Sequence, residues 1–191
     1  MHWKCLCWFV VLPLLIGCSA VRNPEQLADS VQQGYGAAKE IRTEVIIQAN
    51  HENEVQNYRV QVQYANAQNP HAEITVQEPK SIAGVTAVYD VQENRLTYED
   101  VSLQTILPEQ NGLTPVDVVP AVLRCLIAEE PTAIWQEDDM ILLQYEKEEE
   151  VGSVVRELAL RKQDGALQYA AVSLNGIQRL RCEFDSCTIY Q

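Results

Sequence analysis

The strongest constraint on this chain is a change of hydrophobic period. From Tyr58 to Tyr64 the apolar residues Tyr58, Val60, Val62 and Tyr64 alternate with Arg59, Gln61 and Gln63. A period of two places one set of side chains on each face of a β-strand, so this segment buries one face and leaves the other in water. The pattern recurs after a turn cluster at Asn66 to Pro70, where Ala72, Ile74 and Val76 alternate with His71, Glu73, Thr75 and Gln77. Thr43 to Gln48, Val85 to Val91 and Arg95 to Tyr98 read as further strands, and the stretch Glu78 to Ala83, containing Pro79, breaks the chain between two of them.

The C-terminal third repeats the theme as a meander. Ile134-Trp135 and Met140 to Tyr145 flank a turn at Glu137 to Asp139, and Val154 to Arg161 follows. Asp164-Gly165 and Asn175-Gly176 then mark hairpin turns, because both residue types tolerate positive φ. They separate Leu167 to Leu174, Ile177 to Phe184 and Thr188 to Tyr190. The acidic run Glu146 to Glu150 reads as a solvated hairpin tip and lacks the pattern of a calcium loop.

Two segments have helical character. Pro24 to Gln33 carries Leu27, Ala28 and Val31 on one stripe and meets Gly34 and Gly36 at its end. In mid-chain, Thr114, Pro115 and Asp117 precede an apolar stripe of Val118, Val119, Val122, Leu123, Leu126 and Ile127. Pro120 removes an interior hydrogen bond, so the regular helix is expected to begin there, and Pro131 ends the segment. Leu103 to Leu113 reads as a loop. With 191 residues, 47% of them hydrophobic, the chain can build one domain with a sizeable core. The order of elements implies an α+β fold: a curved antiparallel sheet, a half barrel, wrapped around two or so helices.

The N-terminus carries a second signal. Lys4 is followed by an apolar run from Leu6 to Ile16, which is shorter than the about 20 residues of a membrane-spanning helix and fits a signal peptide. It ends in Leu15-Ile16-Gly17-Cys18. This resembles the lipobox of bacterial lipoproteins, and the resemblance implies a signal peptide over 1–17, diacylation of Cys18, a lipidated tether over 18–23 and a domain over 24–191. An ordinary secretory signal is the alternative. Loss of Lys4 with the signal takes the net charge from −13 to −14. Two acyl chains suffice for stable anchoring, and the acidic domain adds no attraction to anionic lipid. The expected location is the extracytoplasmic face of the cell membrane. The same acidity, 14 Lys and Arg against 27 Asp and Glu, argues against nucleic acid as a partner.

Cys125, Cys182 and Cys187 remain beyond the anchor. Cys125 reads as a small core residue among Leu123, Leu126 and Ile127. Cys182 and Cys187 are close enough in sequence for a disulfide, unless a strand turns their side chains apart. The spacing of Cys and His matches no metal motif, no cofactor motif is found, and no nucleophile, phosphate-loop or hydrolase signature appears. The expectation is a protein without catalytic activity.

The opening helix, Tyr58-Arg59-Val60 leading to Ala72-Glu73-Ile74, the Pro79 break, Gly84 to Tyr98 and the Asp164-Gly165 and Asn175-Gly176 hairpins together resemble the LolA/LolB-like fold of bacterial lipoprotein-handling proteins. The resemblance covers most of Pro24 to Tyr190 and rests on pattern, with no short motif. Cys18 departs from the soluble carrier and is closer to anchored members, including the clostridial germination (GerS group) lipoproteins, which are similar in length and lipobox. Two functions follow. One is a binding module for a hydrophobic or acyl ligand, or for a lipoprotein. Its inward positions would be Val60, Val62, Ile74, Val76, Val88, Leu158 and Leu160, unless these simply pack a core against the helices. The other is a protein-interaction lipoprotein that holds and licenses a secreted cell-wall (cortex) amidase. Trp135 would be its anchor residue, unless it closes the core.

Overall fold

The computed structural model describes residues 23–51, 54–68, 70–89, 94–98, 101–104 and 112–191. Helix α1 (Pro24–Gly36) leads into strands β1 (Glu40–His51), β2 (Glu54–Ala65), β3 (His71–Glu78), β4 (Thr86–Tyr89), β5 (Asn94–Tyr98) and β6 (Val101–Gln104). Helix α2 (Val118–Ala128) follows, and then β7 (Ala133–Glu137), β8 (Met140–Glu149), β9 (Gly152–Arg161), β10 (Leu167–Leu174) and β11 (Ile177–Tyr190). The strands form one antiparallel sheet in the order β6-β5-β4-β3-β2-β1-β11-β10-β9-β8-β7. β1 joins the two halves by pairing with β2 on one side and β11 on the other. The sheet stays open, with β6 and β7 at its edges, and both helices pack on its inner face in a single core. This is the α+β half barrel expected from the alternating pattern.

Local chemistry sets the helix ends. The Asn23 side chain accepts the Glu25 N–H, and Pro24 occupies the first helical position, where a missing donor costs nothing. α1 runs through both glycines to Gly36, three residues beyond the expected end at Gln33. At α2, the Asp117 carboxylate accepts the Thr114 N–H at 2.8 Å, the Thr114 hydroxyl at 2.6 Å and the Gly112 N–H at 3.1 Å. Pro120 is the third helical residue, within the first turn, whose N–H groups have no partner inside the helix. The helix therefore begins two residues before the proline. Val118, Val119, Ala121, Val122, Leu123, Cys125 and Leu126 are all buried, so α2 is enclosed except along the side that carries Pro120, Arg124, Ile127 and Ala128.

Two expectations are revised. The segment read as a loop from Leu103 opens inside β6, and its residues 105–111 lie outside the described ones. β8 extends through Glu149, and the tip expected at Glu146 to Glu150 reduces to a turn at Glu150-Val151. Glu149 turns inward, where the Arg156 guanidinium donates to its Oε1 at 3.0 Å and the Arg156 side chain is only 3% exposed. A charge at this depth requires a partner, which is why this one acid of the run leaves the solvent.

The strands define two ends of the barrel. One end carries the β2–β3 connection, the Asp138-Asp139 turn, the Lys162 to Gly165 turn and the C-terminus. α1 packs there: Gly165 lies against Val31, and the Tyr35 hydroxyl accepts the Leu167 N–H at 3.0 Å. The hairpin tips at 150–151 and 175–176 form the other end, where the Asn175 side chain accepts the Ser153 N–H at 3.0 Å.

Candidate functional site

The residues expected to bind a ligand or a partner protein divide into three groups. Val60, Val62, Ile74, Val76, Leu158 and Leu160 do face inward, and all six are buried in the continuous core that also holds Val118, Val122 and Leu126 of α2. The helix fills the space in front of them. Val88 is a correction. Register with β3 decides which way β4 faces: Ile74 pairs with Ala87, so Ala87 and Tyr89 point inward and Val88, opposite Glu73, points out. Val85, Ala87, Val88 and Tyr89 are apolar on both parities, which left the face of this strand unspecified by its own sequence. Trp135 sits half-buried on edge strand β7, opposite Leu142.

The three described cysteines are free. Cys182 and Cys187 lie on the same strand, β11, five residues apart, which on extended backbone is roughly 15 Å and well beyond disulfide reach. Of the two alternatives the sequence left open for Cys182 and Cys187, the structure has the unbridged one. A bulge at the β1–β11 pairing returns Cys187 to the inner side, where it lies 3.6 Å from the Tyr35 hydroxyl. Burial raises the Cys182 and Cys187 thiols above their ordinary range and pushes Cys125 up to about 12. All three are protonated at neutral pH and are poor nucleophiles.

Open space adjoins the core at the α1 end of the barrel. Tyr64, Ala72 and Tyr89 form one cross-strand row over β2, β3 and β4. The small Ala72 between two tyrosines leaves a depression. α2 faces it with Pro120, Arg124, Ile127 and Ala128, whose i, i+4, i+7, i+8 spacing places them on one side of the helix. Pro70 and His71 complete the rim of a cleft of about 390 Å³. Burial raises both phenols. The nearby Arg124 moderates the rise at Tyr64, and the nearby Asp117 adds to it at Tyr89. The arrangement is an apolar groove with a guanidinium and an imidazole at its border, which suits an amphipathic molecule with an anionic or polar head.

The sequence reading did not single out this cleft. Its available signals were Arg124, the lone charge in the otherwise apolar segment Val118–Ala128, and a small residue set between two aromatic positions of the strand pattern.

No protein-family model matches the chain. No curated protein matches it. Solved structures do. A DUF1329 family protein from Desulfovibrio piger is similar at 10% identity and a TM-score of 0.53, covering 86% of this chain and 90% of that one. An uncharacterized conserved protein from Thermus thermophilus is similar at 9% identity and a TM-score of 0.51, covering 87% of each chain. What these likenesses share with the chain is the fold, an open antiparallel half barrel. A LolA superfamily protein from Nitrosomonas europaea is also similar, at 12% identity and a TM-score of 0.47, over 86% of this chain and 94% of that one. At these identities the likeness concerns the half barrel alone. Among the described residues no helix is long and apolar enough to cross a membrane.

Proposed function

We propose that this chain is a membrane-tethered, non-enzymatic binding module that takes the apolar part of an acyl ligand, or of an acylated peptide, into the cleft between the Tyr64–Ala72–Tyr89 row and α2. The observation that carries this reading is the cleft itself: about 390 Å³, aromatic and aliphatic on its walls, with Arg124 placed to meet an acidic head group. Diacylation of Cys18 supplies the tether. Residues 18–23 span at most roughly 20 Å when fully extended, and the helix they lead into packs at the same end of the barrel as the cleft. The ligand site is therefore held within a short distance of the bilayer, where acyl chains are abundant.

The test is native mass spectrometry of protein expressed without residues 1–17 and with Cys18→Ser. Bound lipid, lost or reduced by Arg124→Glu, is the expected result. A protein that carries no added mass after exposure to membrane extract overturns the reading. Separately, the full chain should remain with membranes after a carbonate wash, and Cys18→Ser should release it.

A second reading, a lipoprotein that holds a secreted cell-wall amidase, is favoured by one specific feature. On the outer face Trp135, Leu142, Ala159 and Tyr169 form a continuous cross-strand row over β7 to β10. Half-buried aromatic side chains in such a row are the type that anchors protein interfaces.

A further inference from the structure

The outer face of the sheet holds a second recess, unrelated to the cleft above. Two β-bulges fall at the same level in the two strand pairs that flank the β1–β2 pair. One lies at Glu44/Val45 in the β1–β11 pairing, with Asp185 as the extra residue, and the other at Arg59/Val60 in the β2–β3 pairing. Bulges bend the strands that carry them. Arg59 spans the bent region, donating to Glu44 at 2.7 Å and to Asp185 at 2.9 Å, so it ties β2 to β1 and β11 there. Below this clasp the outer face is recessed by about 420 Å³.

The lining of the recess is unusual for so acidic a chain. Gln61, Gln63, Thr75, Ser186 and Thr188 contribute neutral amides and hydroxyls from three strands. Each offers both donor and acceptor capacity, or can rotate to supply either. Two charged pairs at the border are engaged internally: Glu44 with Arg59, and Arg42 with Glu40. Beside Thr188 on the same face lies Tyr190, 44% exposed, with the Arg42 guanidinium over its ring at 5.1 Å from the centroid. A membrane surface or an acyl chain would find little apolar area here, and a polyanion would meet Glu44 and Glu73. Neutral hydrogen-bonding groups in a shallow open recess, with an exposed ring at one end, match a ligand that is itself neutral, hydroxylated and extended.

The geometry points to a glycan-binding site on the outer face of β1, β2, β3 and β11, with Gln63, Thr75 and Thr188 reading sugar hydroxyls and Tyr190 stacking on a pyranose ring. Together with the opposite placement of the acyl cleft, this would let one domain contact a lipid and a polysaccharide at once.

The test uses the chain from residue 18 with Cys18→Ser, and two neutral tetrasaccharides, chitotetraose and maltotetraose, as probes. Amide chemical shifts are followed by NMR at millimolar sugar. At least one probe should shift resonances of β1, β2, β3 and β11 selectively. Gln63→Ala with Thr75→Val should weaken that binding about tenfold, the cost of losing about two hydrogen bonds. Tyr190→Ala should do the same, while Arg124→Glu in the other cleft leaves it unchanged. The proposal is overturned if neither sugar binds, if the shifted amides lie elsewhere, or if the folded variants bind as tightly as the parent. Should the double variant fail to fold, the map of shifted amides in the parent and the Tyr190→Ala titration decide between these outcomes.

Discussion

The Tyr35 hydroxyl joins the last turn of α1 to the first residue of β10, accepting the buried Leu167 N–H at 3.0 Å across 132 residues of sequence. The tyrosine is 1% exposed, and burial holds its phenol well above the ordinary tyrosine range. Tyr35→Phe keeps the ring and strands the amide. Its expected cost is about 1–3 kcal/mol, the penalty for an unsatisfied buried donor. Urea denaturation followed by circular dichroism should show a lower midpoint with an unchanged slope. An unaltered midpoint would mean that water replaces the hydroxyl.

The inward Glu149–Arg156 pair makes a second prediction. Removing the acid leaves a guanidinium buried in the barrel with one fewer partner. Glu149→Ala is expected to destabilise by about 3 kcal/mol, at the lower end of the range for broken buried pairs, because Arg156 also has other interactions. The double variant Glu149→Ala with Arg156→Met should recover part of the loss. A double-mutant cycle measures the coupling, and simple additivity would show that the two side chains act independently.

These two contacts show where the sequence was legible. Tyr58 to Tyr64 and Ala72 to Val76 carry strict alternation because one face is packed and the other solvated, and their inward residues could be read directly. Val85 to Tyr89 is apolar on both parities, so the face taken by Val88 was decided by pairing with β3, a non-local fact. The same limit hid the cleft. Whether Val60 or Leu158 lines a cavity depends on how far α2 enters the barrel, and local pattern does not report that depth. Glu149 looked like its neighbours Glu146 and Glu148 because nothing in an acidic run marks the one that meets an arginine seven residues on.

Gly112 supplies a third prediction. It has φ +70, and a Cβ added there would sit 2.7 Å from the Cβ of Ala121, an atom fixed to the helix backbone. Its N–H is also one of the three donors on Asp117. Gly112→Ala must shift α2 or this turn, with an expected loss of about 1–3 kcal/mol. Thermal unfolding by circular dichroism checks it. A melting temperature within error of the parent would show that the turn relaxes freely.

Alkaline pH should loosen the domain. Burial pushes the Cys125 thiol from its ordinary 9.0 up to about 12, and also raises Tyr35, Tyr89 and Tyr145. For a group whose folded value is raised, stability is complete below the unfolded pKa and falls as pH climbs toward the folded one. The denaturation midpoint should therefore hold between about pH 7 and pH 8.5 and decline above about pH 9, where unfolded thiols begin to ionise. Cys125→Ala should flatten part of this decline, whatever its cost at neutral pH. A midpoint independent of pH up to about 11 would contradict the burial of these groups.

The cleft offers the most direct functional prediction. Ala72 is its floor, between Tyr64 and Tyr89, and a larger side chain at this inward position occupies the space proposed for an acyl chain. Ala72→Leu should lower stability by no more than about 1–3 kcal/mol, the usual cost of overpacking, because the added atoms enter open volume. Arg124→Glu acts differently, leaving the groove open while reversing the charge at its border. If the cleft takes an acyl ligand, both folded variants lose the bound mass in native mass spectrometry. A ligand that persists in both variants would place the binding site elsewhere. Loss in Arg124→Glu alone would mean that the head group, and not the chain, is what the cleft recognises.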